Sequence, residues 1–337
     1  MNLFAFARQL IDIPSVSGDE LAVARFLAEY LEAAGFETEL QEVEENRANL
    51  IAAHATVPPR VVLSTHLDTV PPHVAASEDG EYIYGRGACD AKGIIAAQVA
   101  AARQLRAEGI DDVGLLFTVD EEQASLGALA ANRHRLARLC QFLINGEPTD
   151  NLLATGSKGS LRARVKTAGR AAHSAYPEHG ESAIEKLLDV LRDVRDYDWP
   201  RDEFFGETTV NVGTVAGGTR SNVVPAEAEA VLHIRLTVPS GVVKEALERI
   251  AGARAEVEYL SVSEPVRMLP VESFEQCIVR FTTDVTYLSG WGRPLLIGPG
   301  SILDAHTAHE RVAKRELEKA VELYVRLVRR LRAGVEE

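Results

Sequence analysis

The chain has 337 residues, 46% of them apolar, with 36 basic against 50 acidic side chains and a formal charge of −14. It is long enough for two domains, or for one large domain with an insertion, and its composition is that of a folded globular protein. The acidic balance argues against nucleic acid or an anionic membrane as partner, and no apolar run reaches membrane-spanning length.

The opening MNLFAFARQLIDIPSVSGDE lacks a charged start and a small-residue cleavage site, so no signal peptide is expected. Residues 2–12 and 19–35 read as helices, with Ser17 or Asp19 as candidate cap of the second and Gly35 as its stop. ETELQEV and ANLIAAHA alternate like paired strands. RVVLSTH is a continuous apolar run, as expected of a strand buried on both faces. An alanine-rich helix follows in AKGIIAAQVAAARQLRAEG. Then come a buried strand in VGLLFTVDEE, a helix in ASLGALAANRHRLARL and a strand in CQFLINGEP. This alternation predicts an α/β domain with a mainly parallel sheet and flanking helices.

After about residue 156 the pattern changes to exposed antiparallel strands and two amphipathic helices, about four strands in all. This predicts an inserted α+β, ferredoxin-like lid of split βαβ type. Buried patterns return near residue 265. The expected organisation is a catalytic domain over 1–156 and 265–337, with a lid or dimerisation domain over 157–264. Cys89, Cys140 and Cys277 are odd in number and form no CxxC, so a reduced, cytoplasmic protein is the expectation.

Four stretches place acidic or imidazole groups directly after apolar segments: LSTHLD, GRGACDAKG, FTVDEE and LINGEP. In an open α/β sheet the carboxyl ends of the strands line the ligand crevice. His66, Asp68, Asp90, Glu121, Glu122 and Glu147 therefore have a common destination, and GPGSILDAHTAHE adds His306 and His309. Such a carboxylate cluster repels itself unless a cation neutralises it. Histidine plus carboxylate without thiolate suits catalytic zinc, manganese or cobalt. Charge counting favours two divalent ions sharing a bridging hydroxide. One further carboxylate must take the proton of the water, and the Glu121–Glu122 pair offers both a ligand and a base.

The motifs STHLDTVP, YGRGACDAKG, FTVDEE, NGEPT, GRAAHSAYPEHGESAI, GGTRSNVVP and GPGSILDAHTAHERV together resemble the M20 family of dinuclear zinc hydrolases, in order and over essentially the whole chain. That family includes acetylornithine deacetylase, succinyl-diaminopimelate desuccinylase, carboxypeptidases and aminoacylases. The resemblance implies a zinc-exopeptidase-like catalytic domain and a homodimer formed through the lid. It implies that His66 and Glu147 bind one metal, Glu122 and His306 the other, and that Asp90 bridges both, followed by a cis peptide to Ala91. Asp68 would orient His66 by accepting its second ring proton, and Glu121 would be the general base. His173 would reach the partner's active site and steady the oxyanion. Asn222 and Arg235 would hold the substrate, Arg235 as a carboxylate clamp.

The implied activity is removal of an acyl group from an N-acyl amino acid, as by an acetylornithine deacetylase. Desuccinylase, dipeptidase and carboxypeptidase activities are the alternatives. A metal-binding scaffold without turnover is the alternative of another class, and retention of Glu121 argues against it. No GxGxxG follows a first strand, which disfavours a dinucleotide-binding domain. His309 stands where the family carries an aspartate or asparagine, and QASLGA replaces its glycine-rich continuation after the acidic pair. Lys92 is expected to support its loop, and Cys89 to fill space. His54, His73, His134, His179 and His233 are expected to be surface or satisfied side chains.

Overall fold

A computed structural model describes residues 1–334. The chain divides into two compact units. The first comprises Met1–Thr155, Met268–Cys277 and Thr283–Glu337, and the second Gly156–Arg267 and Ile278–Thr282. The second unit thus reclaims a short segment, 278–282, beyond the expected boundary.

In the first unit, neighbouring strands run in the order Glu37–Glu44, Arg47–Ala53, Val113–Thr118, Val61–His66, Phe142–Asn145, Arg293–Leu296 and Leu153–Ser157. The four strands from Val113–Thr118 to Arg293–Leu296 are mutually parallel, and those flanking them are antiparallel. The sheet is therefore mixed, with a parallel centre. Every residue of Val61–His66 and Val113–Thr118 is buried, because helices cover both faces. Val61, Leu63, Leu115, Phe117 and Ile144 pack with side chains of helices Leu3–Asp12, Leu21–Ala33, Lys92–Ala107 and Lys314–Ala333. Val62, Leu116 and Leu143 face helix Leu126–Ala131 and Trp291 on the other side. Eleven of the sixteen residues of Lys92–Ala107 are buried. Its small alanines let this helix lie close to the sheet, and it is the support on which Asp90 rests.

Two local expectations are corrected. The second helix begins at Leu21 with Glu20 at its cap position and no side-chain cap bond. Ser17 donates to Asp68 instead. The single helix expected over residues 124–139 is two pieces, helix Leu126–Ala131 and a short 3₁₀ turn, Arg135–Arg138. The His134 ring accepts from the Leu136 N–H and starts the second piece separately. A side chain that satisfies a free backbone donor in this way competes with helix continuation.

The second unit is a four-stranded antiparallel sheet, in the order Thr209–Gly217, Glu227–Leu236, Gly159–Ala168 and Glu256–Ser263. With helices Ala183–Asp196 and Ser240–Ala251 its chain order is βαββαβ. Leu161, Ala163, Val165, Leu232 and Ile234 form its core with Leu187, Val190 and Leu247 of the helices. Only one sheet face is so covered, and the strands alternate buried with polar residues accordingly.

Candidate metal centre

The centre lies at the carboxyl ends of the parallel strands. His66 ends the strand Val61–His66, Glu121 and Glu122 follow Val113–Thr118, and Glu147 follows Phe142–Asn145. Asp90 immediately precedes the helix that starts at Lys92, and the Asp90–Ala91 peptide is cis. His66, Asp90 and Glu122 each present a ligand atom, all within 4.8 Å of one another. His66 Nε2 lies 2.9 Å from Asp90 Oδ1. His306 Nε2 lies 3.2 Å from Asp90 Oδ2 and 2.8 Å from Glu122 Oε1. Asp90 thus stands between the two imidazoles. The His309 ring is exposed and approaches none of these carboxylates. Glu147 is buried, and its Oε1 has no hydrogen-bond partner.

Electrostatics bind these groups together. Burial, and then the charge of Glu147, push the Glu121 carboxyl well above its usual range. Burial likewise raises Glu147 well above that range, with Asp90 adding to the effect and His66 opposing it. Glu122 is also raised by burial, against its bond to His306. His306 is pulled up to about 10 by its bonds to Asp90 and Glu122. Burial works against the charge of His66, but Asp68 and Asp90 hold it well above its usual range. Among the described residues, no lysine or arginine pairs with Asp90, Glu121, Glu122 or Glu147. Two imidazoles, several carboxylates, an orphaned buried oxygen and no basic partner fit divalent cations of the zinc, manganese or cobalt kind.

Asp68 acts differently from the expectation. Its main-chain oxygen, not its carboxylate, lies nearest His66 Nδ1, at 2.9 Å; its Oδ1 is 3.5 Å away. Asp68 Oδ1 accepts from the N–H of Glu121 at 3.1 Å, and Oδ2 accepts from the N–H of Glu122 at 3.2 Å and from Ser17 Oγ at 2.7 Å. Despite its burial, bonds from His66, Ser17 and Glu122 hold its carboxyl below the usual range. One residue therefore fixes both the imidazole, chiefly through its main-chain oxygen, and the turn that carries the acidic pair, through its carboxylate.

That turn has a second anchor. Asp120 and Ser125 have left-handed φ values of 70° and 54°. Asp120 Oδ1 meets Arg47 Nη2 at 2.7 Å, and Arg47 grips Glu20 with two bonds, at 2.6 and 2.9 Å. All three side chains are almost wholly buried. Asp120 Oδ2 and main-chain oxygen accept from four N–H groups of residues 123–126. A third brace is Glu310. It pairs with Arg86 at 2.6 Å and accepts from the N–H groups of Gly87, Cys89 and Asp90. Lys92 is fully buried and donates to the Ile13 carbonyl. Asp284, also buried, accepts from the Thr118 hydroxyl at 2.7 Å and leaves its Oδ1 unpartnered. Sequence reading missed Glu20, Arg47, Asp120, Asp284 and Glu310. Only Glu310 carried a signal, as an acidic residue four positions after His306.

The remaining expected residues lie in the second unit. His173 bridges to Val223, and the Asn222 carbonyl accepts from the Ser174 N–H at 3.0 Å, so these two are neighbours. Both are exposed. Arg235 is half-buried on the uncovered sheet face, and burial lowers its pKa.

Parallel strands ending in a clustered histidine–carboxylate set are an arrangement suited to holding a catalytic metal ion. Two family models match, the peptidase dimerisation domain over residues 155–259 and peptidase family M28 over residues 49–186. A peptidase M20 domain-containing protein of Schizosaccharomyces pombe is 36% identical, over 97% of this chain and 84% of that one. A "Probable carboxypeptidase" of Paracoccidioides brasiliensis is also 36% identical, with the same coverage. Among solved structures, a tripeptidase from Staphylococcus aureus superposes with a TM-score of 0.80 at 20% identity, covering 97% of this chain and 98% of that one. An M20 family metallo-carboxypeptidase from Sulfolobus solfataricus gives 0.77 at 17% identity, covering 96% and 98%. The chain belongs to the M20 peptidase family of hydrolases.

Two outcomes follow from the braces. Arg47→Met strands the buried charges of Glu20 and Asp120, and is expected to cost about 3 kcal/mol in denaturant unfolding. It should also lower kcat more than it raises KM, because the turn bearing Glu121 loosens. Burial pushes Asp284 up from an ordinary 3.8 to about 6, against the Thr118 bond. The folded state then binds this proton more tightly than the unfolded chain. Its stabilising contribution is full below the ordinary value and is lost as pH rises through about 6. In metal-free protein, Asp284→Asn should therefore melt above wild type in alkaline buffer, and the gap should close in acid.

Proposed function

We propose that this M20 hydrolase uses two divalent metal ions, zinc first and cobalt or manganese as alternatives, to cleave an amide bond in a substrate bearing a free carboxylate. The observation that carries this reading is the set of carboxylates around His66 and His306 that has, among the described residues, no lysine or arginine partner. His66 and Glu147 would hold one ion, Glu122 and His306 the other, and Asp90 both. When bound, such ions supply an acidified water and polarise the scissile carbonyl. Glu121 accepts the proton of the attacking water and returns it to the departing nitrogen. A base for this task needs a raised proton affinity and a fixed position. Burial supplies the first, and the Asp68 bond to its N–H the second. Asp68 also keeps His66 in one orientation, mainly through its carbonyl.

His173, supplied by the partner subunit of a homodimer, would steady the oxyanion, with Asn222 beside it and Arg235 taking the substrate carboxylate. Support for self-association comes from Leu188, Val215 and Val242, large apolar side chains about half exposed on the second unit. Three cysteines without a disulfide suit a reducing, cytoplasmic setting.

For the substrate, an N-acyl amino acid of the kind an acetylornithine deacetylase takes stands beside a second reading, release of the C-terminal residue of a short peptide. The second is favoured by relatives named as carboxypeptidases. A panel of N-acetylornithine, N-acetyllysine, N-succinyl-diaminopimelate and dipeptides, with zinc or cobalt supplied, separates them. No turnover on any of them would favour a non-catalytic scaffold.

Glu121→Gln should lower kcat about a thousandfold while elemental analysis finds the metal content unchanged. Retained, chelator-sensitive activity would refute the role of Glu121. Light scattering should give twice the chain mass of 36.6 kDa. A strict monomer would remove the role of His173 across subunits.

A further inference from the structure

Helix Lys92–Ala107 buries Ile94, Ile95, Ala97, Ala101 and Leu105 completely and, in the same apolar setting, Gln98. A buried amide loses stability unless its hydrogen bonds are made. Gln98 Nε2 donates to the Ser64 carbonyl at 2.8 Å. The same carbonyl accepts from the Gly146 N–H at 2.7 Å, and the Thr65 hydroxyl donates back to the Gly146 carbonyl at 2.8 Å. Ser64 lies on the strand that ends in His66, and Gly146 directly precedes Glu147.

Gln98 also presses on Gly146 itself. A Cβ at that position would stand 2.6 Å from Gln98 Nε2, 2.3 Å from Ile94 Cγ2 and 3.0 Å from the Tyr324 hydroxyl. Tyr324, on helix Lys314–Ala333, donates to the Ile297 carbonyl at 2.7 Å, and the Ile297 N–H donates to the Asn145 carbonyl at 3.0 Å. The main chain on either side of Gly146 is therefore clamped. Glu147 needs such a clamp, because no hydrogen bond holds its Oε1 among the described residues. The helix that carries Gln98 begins two residues after Asp90. One amide thus ties together the segments of His66, Asp90 and Glu147. The turn of Glu122 has other anchors, Asp68 and Asp120.

We propose that Gln98, backed by Tyr324, is a positioning residue that pre-sets His66, Asp90 and Glu147 as the ligands of one metal ion and thereby sets the affinity of that site. It touches no reacting atom and acts through the main chain of Ser64 and Gly146. Groups that fix metal ligands from behind in this way typically govern affinity by tenfold or more. The inference rests on the two-ion reading of the centre, and the site of Glu122 and His306 is its internal control.

The test is cobalt binding by the full-length protein, followed by calorimetry and by the visible absorption of the bound ion, in two backgrounds. His306→Ala leaves the site of His66, Asp90 and Glu147, and His66→Ala leaves that of Glu122, His306 and Asp90. In the first background Gln98→Met, which keeps the volume and removes the donor, is expected to weaken cobalt about tenfold and to shift its absorption. In the second, affinity should hold within about twofold. Tyr324→Phe removes only a hydroxyl, and is expected to weaken cobalt about threefold in the first background alone. Should Gln98→Met fail to fold, Tyr324→Phe decides. Unchanged affinity in the first background, or equal weakening in both, would overturn the proposal. So would a lower melting temperature of the metal-free Gln98→Met protein without loss of cobalt affinity. Parent proteins that bind no cobalt at either site would refute the two-ion reading and this inference with it, whereas normal binding by Gln98→Met refutes this inference alone.

Discussion

The first unit is built around a repulsion. Asp90, Glu121, Glu122 and Glu147 converge at the ends of buried strands, where, among the described residues, no lysine or arginine neutralises them. In such surroundings like charges raise one another's proton affinity, and the protein loses stability with every carboxylate it holds there. His66 and His306 relieve part of the repulsion. The rest is a standing demand for positive charge, and the sheet, the helix behind Asp90 and the turn after Val119 all hold that demand in a fixed shape.

The shape is kept by carboxylates that do not face the centre. Asp68, Asp120 and Glu310 direct their oxygens to successive N–H groups of the segments that carry Glu121, Glu122 and Asp90. Two of the three are neutralised by buried arginines, Arg47 and Arg86. The division of labour follows: Asp120 and Glu310 organise backbone beside an arginine, Asp68 does so beside Ser17 and His66, and Asp90, Glu121, Glu122 and Glu147 present a charge.

Much of this was legible in the sequence, for an identifiable reason. An unbroken apolar run such as VVLSTH is ambiguous between helix and strand, but a histidine at its end and acidic residues after the next two runs give the strands one common end. His306 was distinguishable from His309 through its frame. The braces were illegible because they depend on distant pairing: Arg47 is 27 positions from Glu20 and 73 from Asp120. The break at Asn132–His134 was missed because periodicity continues through it, while the His134 ring ends the helix by a local bond. Gln98 was hidden too. A lone glutamine in an alanine-rich helix is ordinary, and only the fold shows which strands its amide meets.

The first unit is discontinuous in sequence, and so is its centre. Residues 66–147 supply most of the acidic groups, while His306 and Glu310, which stand against Asp90 and its loop, arrive only after the whole second unit. During synthesis the early segments therefore emerge with their charges gathered and their late partners still unmade. Domains generally fold as units as they leave the ribosome, but this one has to wait for the segment after the insertion. Until then the nascent chain has a half-built cluster, so translation itself keeps the centre incomplete while the rest of the protein is being made.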